Sequence, residues 1–83
     1  MFHRVKEVFP LSNYMLRVRF MDNTSRDYNV APLFDTIPAF LSLKTIPGLF
    51  DQVRVDMRGY GIVWNSEIDL SCDELWEHGI PSS

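Results

Sequence analysis

Residues 60–79, in the last third of the chain, constrain the fold more than any other segment. Apolar residues at 61–64 indicate a strand, and a polar turn separates them from a short apolar step at 68–70. Ser71 and Glu74 then have the spacing of a capping box. In that motif the Ser side chain accepts a hydrogen bond from the first helical turn, and the Glu side chain reaches back to the cap. The segment therefore predicts a strand, a turn and a capped helix in succession.

The first thirty residues predict a three-stranded antiparallel meander. Apolar and polar side chains alternate through residues 14–20, which is typical of a half-buried strand. The expected inward set is Tyr14, Leu16, Val18 and Phe20, and the outward set is Met15, Arg17 and Arg19. A shorter strand over 3–9 precedes this one, and a third strand over 26–30 follows a polar turn at 21–25. Such a meander buries one face and leaves the other solvated.

The middle of the chain changes from period two to a helical period. The apolar stripe consists of Leu33, Phe34, Ile37, Phe40 and Leu41. Because Pro38 interrupts a helix, we expect a helical turn at 32–36 and a helix over 38–44, with Thr36 or Ile37 as its cap. Residues 50–57 then predict a strand that turns back and pairs with 61–64 as a hairpin. The class is α+β: a small antiparallel sheet, made of the meander and the later hairpin, packed with two or three short helices.

Composition limits the class of protein further. A chain of 83 residues predicts a single domain over 1–83, and 46% apolar with 13% aromatic residues disfavours disorder. One cysteine cannot form an internal disulfide, which indicates a reducing compartment. The N-terminus lacks the apolar stretch of a signal peptide, and no apolar run reaches the ~20 residues that cross a bilayer. We therefore expect a cytoplasmic protein without membrane contact.

The net charge of −3 disfavours binding to nucleic acid, because such domains usually gather Lys and Arg on one face. The charge is unevenly distributed. Residues 1–50 hold six basic and four acidic side chains, whereas residues 51–83 hold two basic and seven acidic ones. An acidic half that stays together in the fold favours a basic partner, although a solvated polar face has the same composition.

Cys72 is the candidate nucleophile, because a helix N-terminus can make a thiol reactive. Asp73 and Glu74 follow it, and their negative charge opposes a thiolate. No histidine that could act as its base lies nearby in sequence. His3 and His78 stand at opposite ends of the chain, without a recognisable metal-binding spacing. We expect no catalytic residues, no cofactor and no enzyme activity.

Asp56, Glu67 and Asp69 offer an alternative chemistry. Glu67 and Asp69 lie two residues apart on one side of an extended segment, and Asp56 can approach them across the predicted hairpin. Converging carboxylates are ligands that Mg²⁺ takes, and paired acids can act as general acid and base. The same spacing is common on solvated faces, and no glycine-rich phosphate loop accompanies it. The sequence leaves open whether the three converge on a metal.

Six residues are candidates for contact with a partner: Arg17, Arg19, Arg26, Trp64, Asp69 and Trp76. Arg17 and Arg19 form a basic stripe, which we expect Arg26 and Arg4 to join across neighbouring strands. Each tryptophan is either a core residue, with the helix carrying one over the strand carrying the other, or an anchor of an interface, where Trp is enriched. The edges of the sheet are a further place where another chain, or a second copy, could add a strand.

Several motifs along the chain match those of one known family. They are Tyr14-x-Leu16-x-Val18-x-Phe20, Asp22-Asn23, Tyr28-Asn29-Val30 ahead of Pro32, Trp64 with Ile68-Asp69-Leu70, and Leu75-Trp76. On these motifs, which extend roughly over 4–77, the chain resembles the small bacterial family called domain of unknown function 2442. Asn23 stands where the family usually has a turn glycine, and Asn29 stands where it has an aspartate.

The resemblance implies a compact α+β domain and no established catalytic residues. It also implies roles in regulation, since some relatives carry an added helix-turn-helix segment and others are encoded beside a second small protein in toxin–antitoxin-like pairs. We therefore expect a non-enzymatic interaction or regulatory module, the antitoxin-like or accessory half of a two-protein pair, that binds a protein partner or itself through a sheet edge. The alternatives are a DNA-associated regulator using Arg17 and Arg19, and a small metal-dependent enzyme.

Overall fold

The computed structural model describes residues 3–82 and contains two antiparallel sheets and short helices, which confirms the α+β class. The first sheet has the strand order β1-β2-β3-β7, and the second has the order β4-β5-β6. The strands are β1 Val5–Pro10, β2 Met15–Phe20, β3 Ser25–Asn29, β4 Arg54–Val55, β5 Gly61–Asn65, β6 Ile68–Ser71 and β7 Ile80–Pro81. The α-helices are α1 Ser42–Thr45 and α2 Cys72–His78. Turns of 3₁₀ helix span Ser12–Tyr14, Ala31–Phe34, Pro38–Leu41 and Phe50–Gln52.

The meander forms, and the predicted alternation holds over residues 16–20, whereas Tyr14 lies in the 3₁₀ turn before β2 and is partly buried. Leu16, Val18 and Phe20 of β2 are buried, whereas Arg17 and Arg19 are exposed on the opposite face. Strand β2 pairs with β1 on one side and with β3 on the other. Asn23 has φ of 71° in the turn between β2 and β3, a left-handed conformation that asparagine tolerates. Asparagine therefore suits this turn, at the position where the resemblance implies a glycine.

The predicted strand over 50–57 is wrong in most of its length. Phe50–Gln52 is a 3₁₀ turn, and β4 is limited to Arg54–Val55. Met57, at the end of the predicted strand, is 98% exposed in the turn that leads to β5. Residues 68–70, expected only as an apolar step, instead form most of β6, so that the hairpin becomes a three-stranded sheet.

The helical middle is also more fragmented than its apolar stripe predicts. Pro38 does stand in the first turn of a helical piece, but that piece is a 3₁₀ turn over Pro38–Leu41 that continues into α1. Ile37 is its N-terminal cap residue, without a side-chain hydrogen bond. Phe40 and Leu43 are buried, whereas Ile37 and Leu41 are exposed at 40% and 45%. Two inward residues are enough to attach this segment to the core.

Helix α2 begins at the cap that the sequence predicts, but Glu74 acts differently from the capping-box expectation. Ser71 Oγ accepts from the N–H of Glu74 at 3.1 Å. The Glu74 carboxylate accepts from the Tyr28 hydroxyl at 2.8 Å and lies 3.2 Å from Nδ1 of His78. Glu74 therefore joins the helix to β3. Gly79 follows the helix, and the chain then forms β7 against β3.

One hydrophobic cluster lies between the sheets and the helices. Its buried members are Val5, Leu16, Val18, Phe20, Tyr28, Val30, Phe34, Phe40, Leu43, Phe50, Ile62, Trp64, Ile68, Leu70, Cys72 and Leu75. Every strand from β1 to β6 except β4 contributes a buried residue, and β4 contributes the partly buried Val55. None of the helices within residues 3–82 is long and apolar enough to cross a membrane.

Candidate interaction surface

The predicted basic stripe lies on the outer face of the first sheet, and its charges are paired within the chain. Arg17 binds Asp27 of the neighbouring strand through two hydrogen bonds, of 2.9 and 3.1 Å. The Ser82 hydroxyl donates to the same carboxylate at 2.7 Å. Hydrogen bonds from Arg17 and Ser82 hold the pKa of Asp27 below its usual value. Arg19 lies 3.6 Å from Glu7 on the other neighbouring strand.

Arg26 and Arg4 do not extend this stripe, which corrects the sequence-based expectation. Arg26 is opposite Val18 in the sheet, so it projects to the inner face. Its guanidinium carbon lies 3.9 Å from the centre of the Trp76 ring, and it donates to the Trp76 carbonyl at 2.7 Å. Arg4 is hydrogen-bonded to the carbonyl of Arg58, in the turn before β5. The outer face therefore carries two arginines and two carboxylates, and it is not a basic patch.

Both tryptophans take part in the one hydrophobic cluster, Trp64 as a buried member on β5 and Trp76 packed against it from helix α2. Trp64 is 2% exposed, so it is a core residue. Trp76 is half-buried, and its ring is stacked on His3 with 3.5 Å between ring centres. The Phe20 ring packs nearly perpendicular to the Trp76 ring, with 5.0 Å between the ring centres. Neither indole presents the exposed ring face that an interface anchor offers.

The three acidic residues of the metal alternative are separated by their local roles. The Asp56 carboxylate accepts from the backbone N–H groups of Arg58 at 3.1 Å and Tyr60 at 3.0 Å, which fixes the turn before β5. Asp56 and Asp69 line one shallow hollow of about 340 Å³, and Glu67 lies outside it in the β5–β6 turn. The described part of the chain holds no group of three or more His, Cys, Asp or Glu side chains suited to a metal ion.

Cys72 is placed poorly for nucleophilic chemistry. Its thiol is 2% exposed, and burial together with the Asp73 carboxylate raises its pKa. His78 is engaged with Glu74, and His3 is stacked on Trp76. A nucleophile needs a base within hydrogen-bond reach, and no imidazole is bonded to this thiol among residues 3–82.

Strand β6 offers an open edge, which the sequence analysis missed. The N–H of Cys72 donates to the carbonyl of Tyr60 at 2.7 Å, and Leu70 is opposite Ile62. These positions direct their backbone polar groups towards β5. By the alternation of an antiparallel ladder, the N–H and C=O of Asp69 point away from β5. Within residues 3–82 no strand pairs with that side of β6.

Three acidic residues flank the open edge. Glu67 lies just before β6, Asp69 lies within it, and Asp73 lies in the first turn of α2. We call these three residues the acidic edge. All three side chains belong to exposed residues. The ion pairs found among residues 3–82 are Arg17–Asp27, Arg19–Glu7 and His78–Glu74, none of which includes the acidic edge.

The sequence did contain a signal for this edge. Residues 68–71 alternate between buried and exposed side chains, with Ile68 and Leu70 inward and Asp69 and Ser71 outward. Four residues are too few to establish a two-residue period, and the capping box that follows predicts only the helix. Of the predicted contact residues, Asp69 is therefore the one that lies on an open edge.

A comparison with family models identifies the group to which the chain belongs. The model described as protein of unknown function (DUF2442) matches residues 5–81. The chain is therefore a member of this family, as its motifs predict. No curated protein and no solved structure gives a significant match to the chain.

Proposed function

We propose that this DUF2442 member is a protein-binding regulatory module that accepts an extended segment of a partner along β6. The observation that carries the proposal is the orientation of Asp69, whose backbone N–H and C=O point away from β5 at the end of the second sheet. Such groups are a template for an added strand, and strand addition is a recurring mode of peptide recognition.

Two further features support a binding role in preference to catalysis. The one thiol is buried, and the histidines of the described chain are bound to other side chains. The Arg17 and Arg19 face also has less net positive charge than the sequence indicates, because each arginine has a carboxylate partner. Duplex DNA is bound chiefly through phosphate neutralisation by free cationic side chains, so the protein partner is favoured over DNA.

In this proposal the chain is the accessory or antitoxin-like half of a two-protein pair. A small domain that offers one edge strand can cover a complementary segment of its partner and hold it inactive or folded. The backbone hydrogen bonds of the added strand supply much of the affinity, and the side chains beside them supply specificity.

The test uses two substitutions at one position. Asp69→Ala keeps the backbone N–H, whereas Asp69→Pro removes it from the open side without removing a hydrogen bond to β5. The tagged wild-type chain and both variants are used to capture partners from the native host, and the binding of each recovered protein is then measured with purified components. We expect one small stoichiometric partner that binds Asp69→Pro at least about tenfold more weakly than Asp69→Ala, because both variants lack the carboxylate and only the proline variant lacks the N–H.

Equal binding of this partner to Asp69→Pro and Asp69→Ala would contradict strand addition at β6. Recovery of no stoichiometric partner in any growth condition would contradict the two-protein pair. Near-ultraviolet circular dichroism of each variant establishes that the comparison is made between folded proteins.

A further inference from the structure

We infer that the segment bound at β6 is basic, with lysine or arginine on its outward positions and apolar residues on the alternate, inward ones. This inference rests on the function proposed above, because it assigns a chemistry to the strand that β6 accepts. It follows from which side chains flank the open edge on each face of the sheet.

The outward face requires positive charge. Asp69 projects to the same face as Val63, its partner on β5, and it is exposed. A side chain directly opposite on an added strand would have its Cβ about 4.5–5.5 Å from that of Asp69. Opposite charges at that distance stabilise strand pairing and like charges destabilise it. A lysine or arginine therefore fits opposite Asp69.

Acidic residues at both ends of β6 also favour basic side chains on the added strand. Glu67 and Asp73 stand at either end of β6, and both are exposed without an ion pair to any described residue. An extended segment long enough to cover β6 passes all three carboxylates of the acidic edge. At physiological salt the screening length is about 8 Å, so the three carboxylates act on the same short segment.

The hollow beside Asp69 provides room for a long cationic side chain. It has a volume of about 340 Å³, and Asp56 and Asp69 contribute its two carboxylates. Val63, the partner of Asp69 on β5, and Tyr60 also line the hollow and supply apolar surface. Lysine and arginine can lay their aliphatic stems on such a surface while the charged head reaches a carboxylate.

The inward face requires apolar residues. Ile68 and Leu70 project inward from β6 and are 1% and 8% exposed. The inward side chains of an added strand would lie beside these two residues and next to the hydrophobic cluster. Burying a charge there without a partner is costly, so alternation of basic and apolar residues is the pattern that fits both faces.

The acidic edge also disfavours a second copy of this chain as the occupant. An antiparallel pair of β6 strands centred on Asp69 would place the two Asp69 side chains directly opposite each other, with Glu67 and Asp73 of both copies near the same seam. Like charges directly opposite one another destabilise the pairing. The structure therefore favours a basic partner over a homodimer through this edge.

A library of random peptides of about twelve residues, displayed and selected against the full chain, tests the inference without knowledge of the natural partner. We expect enrichment of Lys or Arg alternating with apolar residues. Synthetic versions of the selected peptides should bind Asp69→Asn about tenfold more weakly than wild type and should lose further affinity as salt is raised. They should bind Asp69→Pro more weakly than Asp69→Ala. Asp35→Asn, an exposed substitution outside the edge, is the matched charge control.

Each other outcome separates the two proposals. Selection of neutral or acidic peptides that bind Asp69→Pro more weakly than Asp69→Ala would overturn the inference of a basic segment. It would leave strand addition at β6 in place. Basic peptides that bind Asp69→Pro as well as Asp69→Ala would overturn both, because attraction without backbone pairing would explain them. If no peptide is enriched and the wild-type chain forms a dimer that Asp69→Pro dissociates, the edge would be assigned to a second copy of this chain. Where the proline variant fails to fold, protection of the Asp69 amide from exchange in the peptide-bound wild-type chain decides the same question.

Discussion

The indole N–H of Trp64 donates to the carbonyl of Phe50 at 3.0 Å, in the interior of the protein. This bond joins β5 to the 3₁₀ turn at Phe50–Gln52 and satisfies a buried donor and a buried acceptor together. The Phe50 and Trp64 rings also lie 6.1 Å apart, centre to centre. The segment expected to be a strand is therefore held as a turn by a side chain that lies 14 residues further along the chain.

Replacing Trp64 by Phe should reduce the free energy of unfolding by about 2–3 kcal/mol, because it leaves the Phe50 carbonyl unsatisfied and creates a cavity. Trp76→Phe is the matched control, since Trp76 is half-buried and the bond that it receives from Arg26 goes to its backbone carbonyl. Denaturant unfolding of both variants measures the difference. A Trp64→Phe variant as stable as Trp76→Phe would contradict the structural role of the indole bond.

Two glycine substitutions should have very different costs. A Cβ at Gly61 would lie against the carbonyl oxygen of Leu70, closer than real Cβ atoms approach, so Gly61→Ala must push β5 and β6 apart. A Cβ at Gly48 would meet nothing within 4 Å, and its φ of 81° makes Gly48→Ala costly only through backbone strain of about 1 kcal/mol. We expect Gly61→Ala to lower the melting temperature more than Gly48→Ala. The reverse order would contradict the close pairing of β5 with β6.

The Arg17–Asp27 pair should contribute stability that acid removes. Because the pKa of Asp27 is lower in the folded chain than its usual value, the unfolded chain takes up this proton first as pH falls. The contribution is therefore present near neutral pH and is lost as pH falls from about 5 towards 2. Asp27→Asn should cost up to about 1 kcal/mol at pH 7, as expected for a partly exposed pair, and nothing at the acid end.

Denaturant unfolding at several pH values measures this difference, with Asp35→Asn as the exposed control. A constant gap between Asp27→Asn and wild type across that range would show that the carboxylate charge is not the source of the stability.

The thiol of Cys72 should be unreactive in the folded protein. Burial and the neighbouring Asp73 raise its pKa, so little thiolate is present at pH 8, and the sulfur is inaccessible. A chromogenic disulfide reagent should label Cys72 slowly in buffer and rapidly in denaturant. Complete labelling of the native chain at the rate of a free thiol would contradict the buried position of Cys72. It would also support the alternative in which Cys72 is a nucleophile.

Sequence reasoning succeeded where one local rule decided the outcome. The alternation of β2 needs only a buried and a solvated face, and the cap of α2 needs only Ser71 and the first helical turn. It failed where a distant group decided. Arg26 was expected to join the outer arginine stripe across the neighbouring strand, yet Trp76, fifty residues away, provides an inward site that accepts a guanidinium.

The open edge is a failure of a different kind. Asp69 was among the predicted contact residues, but the sequence alone does not predict which strand lies at the edge of a sheet. Strand β7 was likewise missed, because two residues that include Pro81 carry no periodic pattern. The charge asymmetry between the two halves of the chain was visible from the start. Its meaning depended on the ion pairs, which compensate Arg17 and Arg19 and leave the acidic edge uncompensated.

Amide hydrogen exchange along β6, followed by NMR in the free chain and in its complex with a captured partner or a selected peptide, tests the central claim most directly. In the free chain we expect slow exchange at Leu70 and Cys72, whose N–H groups point towards β5, and fast exchange at Asp69. In the complex the Asp69 amide should become as protected as its neighbours. An Asp69 amide that still exchanges rapidly in the saturated complex would contradict strand addition at β6.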